Sequence, residues 1–157
     1  GLPAMAVEIG QLARTELPSG YAFARVVTER QTWGDVFARG YGIPQPVGAA
    51  FAGGINGDGR DDAPLQYFWI LNQHGKPVCT SLVFLHDGVA GIYGVATLPE
   101  ERGKGLGAFI TAEPLRRVHE LGYRVGVLQA SEDGHLVYRR LGFSDFGEVP
   151  LFVRMPK

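Results

Sequence analysis

Cysteine is nearly missing from this sequence: Cys79 is the single one among 157 residues. That excludes an internal disulfide framework and a four-cysteine zinc site, and it fits a reducing, cytoplasmic setting. Long apolar runs are missing too. The longest gentle stretch, VGAAFAGGI at residues 47–55, falls well short of the roughly 20 residues that cross a bilayer, and no basic-then-apolar leader opens the sequence given. Excess charge is also lacking. A formal net charge of -1 gives no global attraction to nucleic acid or anionic membrane, so any anion must be held by a local arrangement. There is no internal repeat, no low-complexity segment and no evident linker.

What remains is the composition of a globular chain, with 45% hydrophobic and 20% charged residues and 23 glycines. It is read as one domain over residues 1–157, long enough for a sizeable core. The opening GLPAM, residues 1–5, is taken as a cloning remnant or a disordered start and given no weight. Residues 21–29 alternate as a first strand. A short helix is expected from a cap at Thr32 to the stop signals Gly40, Gly42 and Pro44, and a second from Pro46 to Ala52. LQYFWILN, PVCTSLVFL and VAGIYGVATL then read as three strands of an antiparallel meander, joined by QHGK and by a turn containing Asp87-Gly88. A helix follows, with Leu106, Phe109, Ile110, Val118 and Leu121 on one side, Pro114 inside it and Gly122 as its stop. YRVGVLQA reads as a short strand parallel to its predecessor, because a helix intervenes. SEDGHLVYRRLGF gives a last helix ending at Gly142, and EVPLFVRMP a closing strand.

Between the meander and its helix lies PEERGKGLGAF, with Gly103, Gly105 and Gly107 beside Arg102 and Lys104. N–H groups at a helix start have no intrahelical partner and carry the positive end of the helix dipole. Glycines let the loop turn tightly and let a bulky anion approach the backbone, which suits a phosphate or diphosphate. Arg102 and Lys104 add cationic donors, each worth roughly 1.5–3 kcal/mol in a direct phosphate contact. A Walker-type loop is excluded, because Gly105 rather than Ser or Thr follows Lys104. A dinucleotide fingerprint is met literally by Gly103, Gly105 and Ala108, but it expects an acidic residue near the end of the next strand, where Gln129 and Ala130 stand. The third pattern, Arg-x-x-Gly-x-Gly, is met by Arg102, Gly105 and Gly107.

With that pattern the chain resembles the GNAT superfamily of acyl-CoA-dependent N-acetyltransferases. GIYGVATLPEERGKGLG resembles the family's fourth strand and pyrophosphate loop. VLQASEDGHLVYRRLGF resembles its fifth strand and fourth helix, including the Tyr-x-x-Leu-Gly-Phe ending, so the likeness spans roughly residues 88–143. The resemblance implies an α/β (α+β) fold: a mixed, mostly antiparallel sheet with splayed parallel fourth and fifth strands and helices on both faces. It also implies acetyl-CoA as cosubstrate and no metal. The pyrophosphate would lie on the amides of Arg102, Gly103, Lys104, Gly105, Leu106 and Gly107, and the pantetheine would run along Val95, Ala96 and Thr97 as an added strand. Tyr138 occupies the family's general-acid position. Ser131 stands where many members carry an asparagine that bonds pantetheine. The partner implied is a small-molecule or peptide amine rather than nucleic acid or membrane, and the resemblance extends to a homodimer. A catalytically silent acyl-CoA-binding module on the same fold is the alternative from another class.

An ammonium near pKa 10.4 is only a few parts in ten thousand neutral at pH 7, so exposing its lone pair costs roughly 4–5 kcal/mol. No residue stands out as the base. Glu100 and Glu101 read as solvated, and Tyr93 as a water anchor or a packing residue. INGDGRDD matches a calcium loop at Asn56, Asp58, Gly59 and Asp62 but has Gly54 and Leu65 at its first and twelfth positions, which favours a surface loop. Cys79 reads as a core residue, and His74, His86, His119 and His135 show no metal-ligand spacing. Arg139 and Arg140 read as solvated rather than as contacts to the cofactor's adenosine phosphate. Trp33, Phe37 and Tyr41 lie where the family shapes its acceptor pocket, and core packing accounts for them equally.

Overall fold

The computed structural model describes residues 1–53, 59–152 and 154. Its elements are β1 (Leu2–Glu8), β2 (Ala22–Val26), α1 (Arg30–Tyr41), α2 (Gln45–Ala52), β3 (Leu65–Leu71), β4 (Pro77–His86), β5 (Val89–Thr97), α3 (Leu106–His119), β6 (Val125–Gln129), α4 (Glu132–Leu141) and β7 (Ser144–Val149). They build a seven-stranded sheet in the order β2-β3-β4-β5-β6-β1-β7. Among the described residues only β5 and β6 run parallel; every other neighbouring pair is antiparallel.

The meander from β3 to β5 forms as expected. Its middle strands are buried on both faces, which is why they read as nearly unbroken apolar runs. Asp87 and Gly88 both take positive φ, 51° and 78°, as a tight two-residue hairpin turn requires. On one face, α3 and α4 cover a core that includes Met5, Phe68, Ile92, Leu115, Leu128 and Tyr138. On the other, α1 and α2 cover Val26, Trp33, Phe37, Tyr67, Trp69 and Leu82. The two helices meet at glycines: a Cβ on Gly48 would stand 2.3 Å from the Gly34 carbonyl oxygen.

Several expectations are corrected. Residues 2–8 are not a disordered start; β1 is paired on both edges, with β6 and β7. The strands expected as fourth and fifth are therefore fifth and sixth in chain order. Thr32 is not a cap but lies inside α1, which begins at Arg30 without side-chain capping. Leu121 lies beyond α3 and is exposed, so it does not belong to that helix's buried side. The closing strand spans Ser144–Val149 rather than starting at Glu148, because Pro150 cannot continue the ladder. Of the expected closing stretch, Val153, Met155 and Pro156 lie outside the described residues. So do Gly54, Asn56 and Asp58 of the calcium-like stretch.

Candidate active site

The parallel pairing of β5 with β6 is short. It runs through Val89↔Val125, Ala90↔Gly126 and Gly91↔Val127 and then stops. From Ile92 to Thr97 the edge of β5 that faced β6 has no strand partner among the described residues, while its other edge stays bonded to β4 through Ala96↔Thr80 and Thr97↔Cys79. The two strands thus diverge toward their C-terminal ends, opening a wedge bounded by β5 and by β6 with α4. An open strand edge there offers carbonyls and amides to an extended ligand.

A bulge re-aims the diverging half of β5. Its register against β4 slips between Thr80 and Leu82, where β5 carries one extra residue. Gly94 takes φ 61° at this slip, and its carbonyl accepts a hydrogen bond from Thr80 Oγ1 at 2.9 Å. A Cβ on Gly94 would lie 2.9 Å from Trp33 Cη2. Trp33 is fully buried and donates through its indole N–H to the Phe68 and Ser81 carbonyls at 2.9 and 3.2 Å. So Trp33 and Phe37 belong to the core, and Trp33 acts on the site through the bulge. A glycine inside a strand is the sequence signal for that bulge.

After β5, a single 3-10 turn (Pro99–Glu101) leads into the glycine loop. Gly103 and Gly105 adopt φ 77° and 80°, the left-handed region that favours glycine, and Gly105 caps α3 without a side-chain acceptor. The first amide bonded back within α3 is Phe109, to Gly105 at 3.1 Å. The amides of residues 103–108 therefore form a run of donors with no backbone acceptor among the described residues. A Cβ at Gly103 or Gly105 would meet nothing within 4 Å, so the loop is open on its outer side. The residues present fit a diphosphate at this loop and an extended chain along the wedge.

The loop's basic side chains are already engaged. Arg102 Nη2 donates to the Gly40 carbonyl at 2.9 Å and its Nε to the Thr97 carbonyl at 3.3 Å, bracing the end of α1 against the end of β5. Lys104 Nζ donates to Glu101 Oε2 at 2.7 Å and to the Tyr21 hydroxyl at 3.1 Å. Glu101 is therefore not a solvated carboxylate; its side chain is 14% exposed.

Across the wedge, Ser131 caps α4, accepting from the Gly134 amide at 3.2 Å. Glu132 and Asp133 in the first turn complement the helix dipole. Tyr138 follows almost two turns later and is 8% exposed. Its ring packs against Phe143 at 6.0 Å between centroids, and lies so close over Gly134 that a Cβ there would come within 2.8 Å of Cε2. Burial pushes the phenol up to about 12, Tyr41 and Cys79 add to the rise, and a hydrogen bond with Thr111 opposes it. These neighbours locate the hydroxyl beside α3, the end of α1 and the β4–β5 pair. Thr111 itself donates to the Gly107 carbonyl at 2.8 Å, linking this region to the cradle.

Cys79 is buried, with Sγ 3.3 Å from Thr97 Oγ1, and burial holds its thiol at about 12, far from a reactive thiolate. Tyr93 folds back over Gly91, a Cβ on which would lie 2.7 Å from the tyrosine oxygen, so packing accounts for it. Asp145 binds His135 at 2.6 Å and Arg139, which is solvent-exposed as expected and ion-paired as well. Among the described residues no group of three or more His, Cys, Asp or Glu converges as a metal site. The dinucleotide reading fails on topology: β5 continues an antiparallel meander, not a doubly wound sheet.

A strand that parts from its parallel neighbour and ends in a glycine loop is the arrangement this chain shares with known proteins. The Acetyltransferase (GNAT) domain family matches residues 88–146, the segment from β5 through the cradle to β7. A GCN5-related N-acetyltransferase from Kribbella flavida is similar over 92% of this chain and 54% of its own, at 28% identity and a TM-score of 0.70. Another from Sphaerobacter thermophilus matches 92% of this chain and 48% of its own, at 18% identity and a TM-score of 0.75. Glucosamine-6-phosphate N-acetyltransferase from Arabidopsis thaliana is covered over 97% of its length, and 87% of this chain, at 16% identity and a TM-score of 0.60. The chain spans about half the length of the first two. No curated protein sequence matches it. The family match is thus confined to residues 88–146, and over most of its length the chain shares the fold of these acetyltransferases.

Proposed function

We propose that this protein is an N-acetyltransferase that passes an acetyl group from acetyl-CoA to a primary amine by direct attack in a ternary complex. The observation that carries the reading is the early end of the β5–β6 ladder, after Gly91↔Val127, with the unbonded amides of residues 103–108 at the end of the freed strand. The diphosphate is assigned to the amides of residues 103–107, the Arg102 amide being already bonded to the Pro99 carbonyl at 3.4 Å, and the pantetheine to the edge of Val95, Ala96 and Thr97. Ser131 already caps α4, and its hydroxyl retains a lone pair and a proton for the ligand. Acetyl-CoA supplies an activated thioester carbonyl.

The chain's own residues supply orientation and one proton. The amine nitrogen bonds to the carbonyl carbon, the carbon–sulfur bond breaks, and the sulfur takes the proton of Tyr138. The surplus amine proton passes to water, and solvent reprotonates the tyrosine. A phenol held at about 12 is fully protonated at neutral pH and so always ready to donate. Cys79 has no part: a buried thiol at about 12 supplies no nucleophile for an acyl-enzyme.

The test pairs a CoA-release assay over a panel of primary amines with calorimetric titration of acetyl-CoA. Turnover with at least one amine supports the enzyme. Tight binding without turnover on any amine favours the catalytically silent module. No binding defeats both.

A further inference from the structure

The chain brings one contact to the cradle from 80 residues upstream. Tyr21, just before β2, donates its hydroxyl to Glu101 Oε2. Lys104 Nζ donates to the same oxygen and to the Tyr21 hydroxyl, and sits 5.8 Å from the centroid of the Tyr21 ring. Three groups thus close on one another at the rim of the glycine loop. The pairing favours both charged forms: the Lys104 ammonium beside it holds the Glu101 carboxyl below its usual range, and Glu101 holds Lys104 above its own. The adjacent Glu100 differs. It faces Arg39 of α1 at 3.8 Å, and both of those side chains are mostly exposed.

We propose that Glu101, positioned by Tyr21, holds Lys104 in reserve and so sets how tightly the loop grips the CoA diphosphate. The inference rests on reading the loop as a diphosphate cradle. A lysine whose charge is answered by an adjoining carboxylate offers a phosphate less attraction, and that carboxylate repels the phosphate itself. Affinity held down in this way speeds release of product CoA, a step that limits turnover in many enzymes. Tyr21 is a positioning residue that acts through Glu101 and Lys104; Glu101 acts chiefly through Lys104 and adds its own repulsion.

The test measures Kd and koff for CoA by calorimetry and stopped flow. Glu101→Gln keeps the side-chain shape and removes the charge. It is expected to lower Kd three- to tenfold, slow koff, and steepen the weakening of binding by salt. Tyr21→Phe loosens the same carboxylate and shifts Kd in the same direction by less. Glu100→Gln changes Kd less than twofold, which separates the reserve from bulk charge. In a Lys104→Gln background, Glu101→Gln loses more than half of its logarithmic gain. With 3′-dephospho-CoA the gain persists, because the diphosphate is the group gripped.

The proposal is overturned if neither Glu101→Gln nor Tyr21→Phe tightens binding, if Glu100→Gln gains as much, if the gain survives intact without Lys104, or if it vanishes with 3′-dephospho-CoA. Those results leave the cradle standing. A wild-type protein that binds no CoA removes the cradle reading itself.

Discussion

Tyr138 keeps a proton that neutral solvent cannot take. Its hydroxyl is buried, and desolvation of the phenolate raises its pKa to about 12. Tyr138→Phe removes the proton donor and leaves the ring's packing against Phe143 and Gly134 intact. Turnover should fall at least tenfold while calorimetric acetyl-CoA affinity changes little; an unchanged kcat removes Tyr138 from the mechanism. The pH dependence follows from the same value. Rate should climb with pH as the acceptor amine loses its proton, with no falling limb below about pH 10, because Tyr138 is still protonated there. A pH–rate profile that turns down near 8 would assign the acid elsewhere.

At the scale of elements, glycines serve three separable purposes. Gly105 has an open side and φ 80°, so an added Cβ strains the backbone and hits nothing. Gly105→Ala should cost about 1–2 kcal/mol of stability through that left-handed conformation and weaken CoA binding more than tenfold as the loop relaxes. Gly107 is helical, and a Cβ there would come no nearer than 3.8 Å, to Thr97 Oγ1. Gly107→Ala should therefore leave the melting temperature unchanged or slightly raised, yet still weaken binding if the proposed diphosphate approaches the loop backbone there. Gly48 instead separates two helices. Alanine normally stabilises a helix by about 1 kcal/mol relative to glycine. At Gly48 the close Gly34 carbonyl reverses the sign, and Gly48→Ala should destabilise by about 1–3 kcal/mol in urea unfolding.

Elements with strong local signals are legible in the amino-acid sequence itself. The meander shows through its apolar runs and Asp87-Gly88, the cradle through its three glycines, and α4 through Ser131 and Gly142 at its ends. β1 is not legible, because LPAMAVE is short, begins beside a proline and finds its partners more than 100 residues away. β7 carries no apolar alternation, since all six of its residues are exposed on a sheet edge. The site follows the same division. The glycine loop can be read from the sequence itself, whereas Tyr138 is assigned through the family resemblance alone. The bulge at Gly94, the Arg102 brace to Gly40 and the Tyr21–Glu101–Lys104 contact depend on tertiary neighbours, which no local pattern encodes.

For the whole molecule, buried acidic protons tie stability to pH: burial raises Tyr67 as well, but Tyr138 and Cys79 shift most. Tyr138 rises from 10.0 to about 12 on folding, and Cys79 from 9.0 to about 12. A group whose folded pKa lies above its unfolded value binds its proton more tightly when folded. Its contribution is therefore complete below the unfolded value, erodes above it and is lost as pH passes the folded value. The fold should lose stability progressively from about pH 9 to 12. Urea midpoints measured across that range should fall more steeply for the wild type than for Cys79→Ser or Tyr138→Phe; parallel slopes would show that the two groups do not dominate.

The placement of β1 between β6 and β7 also dictates a timetable on the ribosome. Residues 2–8 leave the exit tunnel ahead of the other elements, but their hydrogen-bonding edges match Val125–Gln129 and Ser144–Val149, far downstream in the chain. The meander and its helices can assemble while translation continues. The opening segment has to wait, its Met5 and Val7 uncovered, until those distant strands have emerged. Seating it is then a late, long-range closure of the kind that makes folding slow, and nascent-chain chaperones would be drawn to that waiting segment.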